Sequence, residues 1–363
     1  MKFRTFSRVF VLAGAFGAFS AQAQLLKITP NYGSVTDETI KAQLATLFSD
    51  LQTKANANLP QTVSGDKYTE GVSNSLAMAS GGIGTDYATP FTIASVGGAL
   101  GVGADLGTAT LSSLFSDSSA AKKLAGFGVT GSLVVGFNLG RFVTRKIGPV
   151  DLSRLKVWMN WYSSSINQSG VQADASAFGV HATYKLIPEH SVARGIVKWY
   201  GLDVGTGFHH SSMGLDITQT VTQSQTATTD FGDVTAQIVG TGALSLNSSI
   251  NTIPIEVSTG ARLLYVLGVY TGLGMDLNFG STTGSGTVDA PITLPGAPST
   301  GGINTAGATA TMDINSKKGP GAFGLRTFAG LAFDASIANI YAQFDKSITN
   351  STIGVSLGAR LYW

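Results

Sequence analysis

Side chains in residues 127–142 sort by parity: Phe127, Val129, Leu133, Val135, Phe137 and Leu139 hold one set of alternate positions, Gly128, Thr130, Ser132, Gly136, Asn138 and Gly140 the other. A strand turns successive side chains to opposite faces, so this stretch predicts a strand with one greasy face and one small, polar face. The division recurs at the C-terminus, where Ile353, Val355, Leu357, Ala359, Leu361 and Trp363 alternate with Gly354, Ser356, Gly358, Arg360 and Tyr362. Ten such segments can be marked, at 88–106, 127–142, 152–165, 173–187, 197–215, 252–266, 268–281, 321–334, 337–346 and 352–363. The fold class they predict is all-β.

The N-terminus bears on which solvent the greasy faces meet. Lys2, Arg4 and Arg8 precede an apolar stretch at 9–19, and Ala21-Gln22-Ala23 is a small-x-small cleavage site, so residues 1–23 read as a secretory signal peptide. The chain has no cysteine, which excludes lipid attachment through one and leaves an exported protein to hold itself without disulfides. Beyond the signal, Gly, Ser, Thr or a charge interrupts every apolar stretch within two to four residues, too often for a spanning helix. Charged residues make up only 12% of the chain, with 23 Lys and Arg against 21 Asp and Glu, which argues against disorder and against a nucleic-acid partner. An exported chain that is apolar yet has no helical span is a soluble β protein or a closed barrel. Strands of about ten alternating residues are what a membrane barrel requires.

The connections agree. Barrel turns are short on the periplasmic side and long outside. Counting ten strands places short turns near 146–149, 188–190, 267–268 and 335–336, and long Gly/Thr/Ser-rich loops near 216–251 and 282–320. Residues 232–246 and 306–314 can add a hairpin extension or two further strands, making twelve. On the apolar parity, Tyr184, Tyr200, Tyr265, Phe333 and Trp363 fall at the periplasmic strand ends and Phe127, Trp161, Phe279, Phe323 and Phe344 near the external ends. Two aromatic girdles suit the two headgroup boundaries. The expectation is a closed antiparallel transmembrane β-barrel over 86–363 with long external loops, preceded by a periplasmic helix and linker over 24–85. The helix is placed at 37–56 by Ile40, Leu44, Leu47, Phe48 and Leu51, with Thr36 and Asp37 as caps; it packs on its own protein or enters the barrel as a plug. Residues 57–85 read as the linker.

With its signal peptide and its alternating final strand ending on Trp363, the chain resembles bacterial outer-membrane β-barrel proteins as a class, with no particular family indicated. That resemblance implies residence in the outer membrane, contact with its bilayer and insertion by the barrel-assembly machinery.

Charge appears on the inward parity, where Arg154, Lys156, Lys185, Arg262, Arg326 and Arg360 accompany Asp203, Glu256, Asp276 and Asp345. These residues either neutralise one another and close a narrow lumen or line a pore that selects by charge. No GxGxxG or Gly-Lys-Ser/Thr motif is complete, so no cofactor is expected. His209 and His210 are adjacent and point to opposite faces, a poor start for a metal site, and a hydrolase built on Asp203 and His209 lacks further motif support. The chain reads as a non-enzyme. Its leading reading is a narrow or gated pore for small solutes; the alternative is a surface-exposed, adhesin-like barrel with a closed lumen and an external ligand.

Overall fold

The computed structural model describes residues 27–58, 65–84, 87, 93–110, 112–113, 124–142, 146–147, 150–168, 170–192, 196–229, 232–295, 297 and 304–363. Residues 1–23, expected as a signal peptide, lie outside these residues. A first strand, β1 (Lys27–Asn31), is followed by two helices, α1 (Glu38–Asn58) and α2 (Gly65–Gly81). Eleven longer strands follow, with short strands at Lys146–Ile147, Val150–Asp151 and His190–Val192 between them: β2 (Ala94–Asp105), β3 (Gly126–Asn138), β4 (Leu155–Gln168), β5 (Val171–Ile187), β6 (Val197–Thr229), β7 (Gly232–Leu263), β8 (Leu267–Thr293), β9 (Gly307–Lys318), β10 (Phe323–Ala335), β11 (Ala338–Ser347) and β12 (Thr352–Tyr362).

Ten of them close a ring. Each strand from β2 to β8 pairs antiparallel with the next, β8 then pairs with β10, and β10, β11 and β12 lead back to β2. The stagger follows from the register. Crossing partner by partner from Leu267 on β8 through Phe333, Ile340, Ala359, Gly98, Leu133, Trp161, Phe178, His210 and Asn251 returns to β8 at Phe279, twelve residues along. A ten-strand ring with that stagger tilts its strands by about 40° and has a backbone radius of about 10 Å.

The outer surface carries the apolar parity. Val96, Leu100 and Val102 on β2, Leu273 and Leu277 on β8, and Val355, Leu357 and Leu361 on β12 are all exposed, Leu100 at 59%. Phe323 and Phe333, both exposed on β10, stand ten residues apart, about 25 Å in height once the tilt is applied. Among the described residues no helix is long and apolar enough to cross a membrane. A closed antiparallel ring pairs its backbone groups inside hydrocarbon, and this one, paired all round except along the upper part of β3 and β4, wears a belt of the required height. The protein is an outer-membrane β-barrel.

Its two ends differ. At one end lie Trp363, the turn at 264–266 and the turn at 336–337; Leu264, Tyr265 and Ser336 adopt positive φ there. At the other end β6, β7 and β8 continue past the belt. Residues 216–251 and 282–320, expected as loops, are for the most part strands: β8 runs fourteen residues beyond Phe279, about 45 Å of chain. β9 pairs with this upper part of β8, and β1 with β9. The ring therefore holds ten strands; of the two further ones expected, 232–246 is the upper part of β7 and 306–314 falls in β9, both in the extension, while β1 was not expected.

The extension is a sheet because one of its faces is covered. Ile40, Leu44, Leu47, Phe48 and Leu51 of α1 pack on Ile28 of β1, Val234 and Ala236 of β7, Ala290 and Ile292 of β8, and Ala306, Ala308 and Ala310 from the β9 side. Asp37 caps the helix, its Oδ1 accepting from the Thr39 amide at 2.7 Å. Of the two roles expected for this helix, packing on its own protein is the one found. It sits on the far end from Trp363, and it does not enter the ring.

The stretch expected as linker holds α2, and that helix fills the lumen. Tyr68, Val72 and Leu76, at a spacing of four, face Met213, Leu215 and Ile217 of β6 and Leu244, Leu246 and Ile250 of β7. The opposite side of α2 lies on glycine. A Cβ at Gly101 or Gly103 of β2 would overlap the carbonyl oxygen of Ala79 or Ser75, and one at Gly126 or Gly128 of β3 would overlap the helix backbone at Gly71 or Leu76. Where β3 leans on α2 it parts from β4: their ladder covers only Leu133 to Asn138 against Lys156 to Trp161. The Tyr162 ring lies over Gly131 in the gap.

Candidate functional site: the occupied lumen

Below α2 the chain crosses a charged layer. Arg326, 2% exposed, meets three carboxylates: its Nε donates to Asp276 at 2.9 Å, its Nη1 to Asp345 at 2.8 Å, and its Nη2 to Glu256. One guanidinium with five donors in a plane can serve three acceptors, which a lysine ammonium on a flexible stem does less well. Neighbouring groups bond the other oxygens of Glu256 and Asp345, while Oδ1 of Asp276 has no partner among the described residues. Tyr87 Oη donates to Glu256 Oε2 at 2.6 Å, Gln343 Nε2 donates to both oxygens of Asp345 at 3.1 and 3.0 Å, and His181 Nε2 is 3.4 Å from Glu256 Oε2. His181 and His209 lie side by side with ring centres 5.9 Å apart, and Trp158 stands 6.3 Å from His181. Among the described residues no group of three metal-ligating side chains forms a metal site.

Toward the end that carries Trp363 an aromatic layer follows. Ile83, Tyr200, Tyr270, Phe328, Ala332 and Tyr341 are buried together with Tyr87 against them; the Tyr87 ring stacks on Tyr270 at 5.8 Å and lies tilted against Phe328 at 4.7 Å. Tyr341 Oη donates to the Gly82 carbonyl at 3.3 Å, tying the chain below α2 to the wall. Arg360 stands 4.4 Å over the Tyr341 ring and donates to its Oη at 3.2 Å.

The rest of the wall is polar. Ser95 and Thr352, then Thr130 and Ser132 of β3, Asn160 of β4 and Ser211 of β6 are buried on the inward parity. The hydroxyls of these Ser and Thr residues and Oδ1 of Asn160 have no hydrogen-bond partner among the described residues. Buried groups of this kind are ordinarily satisfied by water, so the space around α2 is suited to hydration.

Most of the residues expected in the lumen are on its wall, and they do not form one ring. Glu256, Asp276, Arg326 and Asp345 make the central cluster. Lys185 and Asp203 form a separate pair at 3.0 Å, the lysine also donating to the Tyr200 carbonyl at 2.7 Å. Lys156, Arg262 and Arg360 hold inward positions at lower levels, the first two half-buried. Arg154 is off the wall: it ends a short 3-10 turn ahead of β4 and reaches back to Asp151 at 3.9 Å. Of the expected girdle, Trp161, Tyr265, Phe279, Phe323, Phe333, Phe344 and Trp363 are exposed, while Phe127 and Tyr184 are half-buried.

Tyr200 is a correction. It was expected outward and is 4% exposed inside. Next to it Gly201 adopts φ +85°, and both adjoining ladders slip by one residue there, between Lys185 and Ile187 and between Thr259 and Ala261. One extra residue reverses every parity beyond it. Tyr87, His181, Tyr270, Phe328, Tyr341 and Gln343 were missed. The available signal was glycine: Gly103 of β2 pairs with Gly128 of β3, with Gly101 two residues along β2 on one side and Gly126 two residues along β3 on the other, and four inward glycines in one patch mark a bulky neighbour.

A family model described as Lsa36-like matches residues 20–363. No curated protein matches the chain by sequence. Among solved structures, it is similar to the toluene transporter TbuX of Ralstonia pickettii at 9% identity, covering 81% of this chain and 99% of that one with a TM-score of 0.26. It is similar to the transport unit of the autotransporter AIDA-I from Escherichia coli at 7% identity, with coverage of 82% and 99% and a TM-score of 0.32. A third is the translocator domain of the autotransporter NalP from Neisseria meningitidis, at 11% identity, 90% and 100% coverage and a TM-score of 0.26.

Proposed function

The chain belongs to the Lsa36-like family, and for this member we propose an outer-membrane transport barrel for small solutes in which α2 is the gate. The observation that carries the reading is a polar wall behind a removable helix. Ser95, Thr130, Ser132, Asn160 and Ser211 line the lumen, yet none of them gives α2 a side-chain anchor among the described hydrogen bonds. The helix is tied chiefly at its upper turns, where Ser73 Oγ meets Thr282 Oγ1 at 2.7 Å and Asp66 accepts from Ser316 at 2.8 Å. With α2 displaced, the ring encloses a passage about 10 Å in backbone radius, narrowed by the Arg326 cluster. That cluster sets the selectivity, three carboxylates around one arginine favouring cations over anions.

The chain has no cysteine of its own, so Ser73→Cys with Thr282→Cys places the two sulfurs within bonding reach and locks the gate by oxidation. In planar bilayers the oxidised form is expected to stay silent and the reduced form to open in steps. Silence in both forms overturns transport.

Two observations favour a second reading, a closed barrel exposed at the surface. Glycine lets α2 lie directly on the wall, and β6 to β9 raise a large sheet beyond the belt. A silent reduced form would select it. The barrel-assembly machinery remains the partner proposed for insertion.

A further inference from the structure

We propose that α1, β1 and the sheet they pack on form a cap on the outer face of the cell, and that the N-terminal chain reaches it by running through the lumen of its own barrel. The inference does not depend on whether the barrel conducts.

The path can be followed contact by contact. At the top, Asp66 accepts from Ser316 and lies 3.6 Å from Lys318, both on β9 above the belt. Two turns on, Ser73 meets Thr282. Lower still, the Ala79 carbonyl lies against Gly101, then Gly82 against Tyr341, and Tyr87 against Glu256. At the bottom Ile93 donates to the carbonyl of Trp363 at 2.8 Å, and β2 begins. The described residues between 66 and 93 are met in turn down the height of the ring on its inside.

Which end faces out follows from the connections. Short turns and the C-terminus of bacterial barrels lie in the periplasm, and long segments lie outside. Trp363 and the turns at 264–266 and 336–337 share one end, and the cap sits on the other. The cap therefore belongs outside, although the sequence placed residues 24–85 in the periplasm.

The route also orders the assembly. A helix packed on a sheet is at least about 10 Å deep and wider than one helix, and α2 already occupies a lumen of about 10 Å backbone radius. The finished cap cannot be drawn through the closed ring. Either the chain threads unfolded or the ring closes around it.

Two single cysteines test the proposal in the full chain: Ser49→Cys on the exposed side of α1, and Ser191→Cys beside the start of β6, at the end that carries Trp363. Both side chains are exposed, and heat-modifiable migration on gels checks that each variant folds. A maleimide that cannot cross the outer membrane is expected to label Ser49→Cys in intact cells as fully as in permeabilised ones, and Ser191→Cys only after permeabilisation. Shielding of Ser49→Cys in intact cells overturns the proposal, and so does labelling of Ser191→Cys there.

Discussion

Replacing Arg326 with methionine keeps much of its volume and leaves Glu256, Asp276 and Asp345 facing one another in a buried layer. Removing one partner from a buried ion group costs about 3–5 kcal/mol, because the remaining charges are left unpaired. Arg326→Met is therefore expected to lower the denaturation midpoint of the refolded barrel, and Glu256→Gln with Asp345→Asn in the same chain to recover part of the loss. A second prediction concerns Gly103. Its Cβ position is taken by the Ser75 carbonyl, a backbone atom that cannot swing aside, so Gly103→Ala must move α2 or β2. Bilayer recordings should show openings more often in Gly103→Ala than in the parent; recordings indistinguishable from the parent would mean that α2 does not gate. At this scale the sequence was partly legible. Arg326, Glu256, Asp276 and Asp345 were placed on the inward parity by alternation alone, whereas Tyr200 was misplaced because the bulge at Gly201 leaves no trace in the hydrophobic pattern.

Among the elements, α1 was visible and α2 was not. α1 pays one broad apolar stripe into its cap, and a stripe of large residues at helical spacing can be read from a single sequence. α2 is a helix of Gly, Ser, Ala, Asn and Thr with Tyr68, Val72 and Leu76 on one side, so its composition resembles a linker. What makes it helical is enclosure: buried in the lumen, its backbone must satisfy its own hydrogen bonds. The extension strands escaped for a similar reason. Small residues such as Ala236, Ala290, Ala308 and Ala310 make an apolar face only when α1 covers it. The parting of β3 from β4 leaves the upper part of β4 without a ladder on that side. Backbone amides of 162–168 that face β3 should exchange with solvent faster than their counterparts in 156–161, since the ladder ends at Leu133 and Trp161. Equal protection on both halves would show a continuous wall.

For the whole molecule, the cap and the ring share the continuing strands β6, β7 and β8 and are tied through α2, whose Asp66 accepts from Ser316 and lies near Lys318 on β9. The α1 core contains no residue of β2 to β5 or of β10 to β12, so deleting 27–58 is expected to leave a ring that still migrates differently before and after boiling, with a lower resistance to proteolysis in its extension. Loss of heat-modifiability would make the cap a requirement for closure.

Alternation every second residue needs no tertiary information, because each strand meets lipid on one face and lumen on the other. The sequence alone therefore determined the compartment, the ten strands of the ring and the outward faces of nearly all of them. Which segment fills the ring, which way the N-terminal chain runs and which charges meet were decided only in three dimensions. Those outcomes depend on the stagger of the closed sheet, which brings Gly101 and Gly103 beside α2 and gathers Glu256, Asp276 and Asp345 from three strands around one guanidinium.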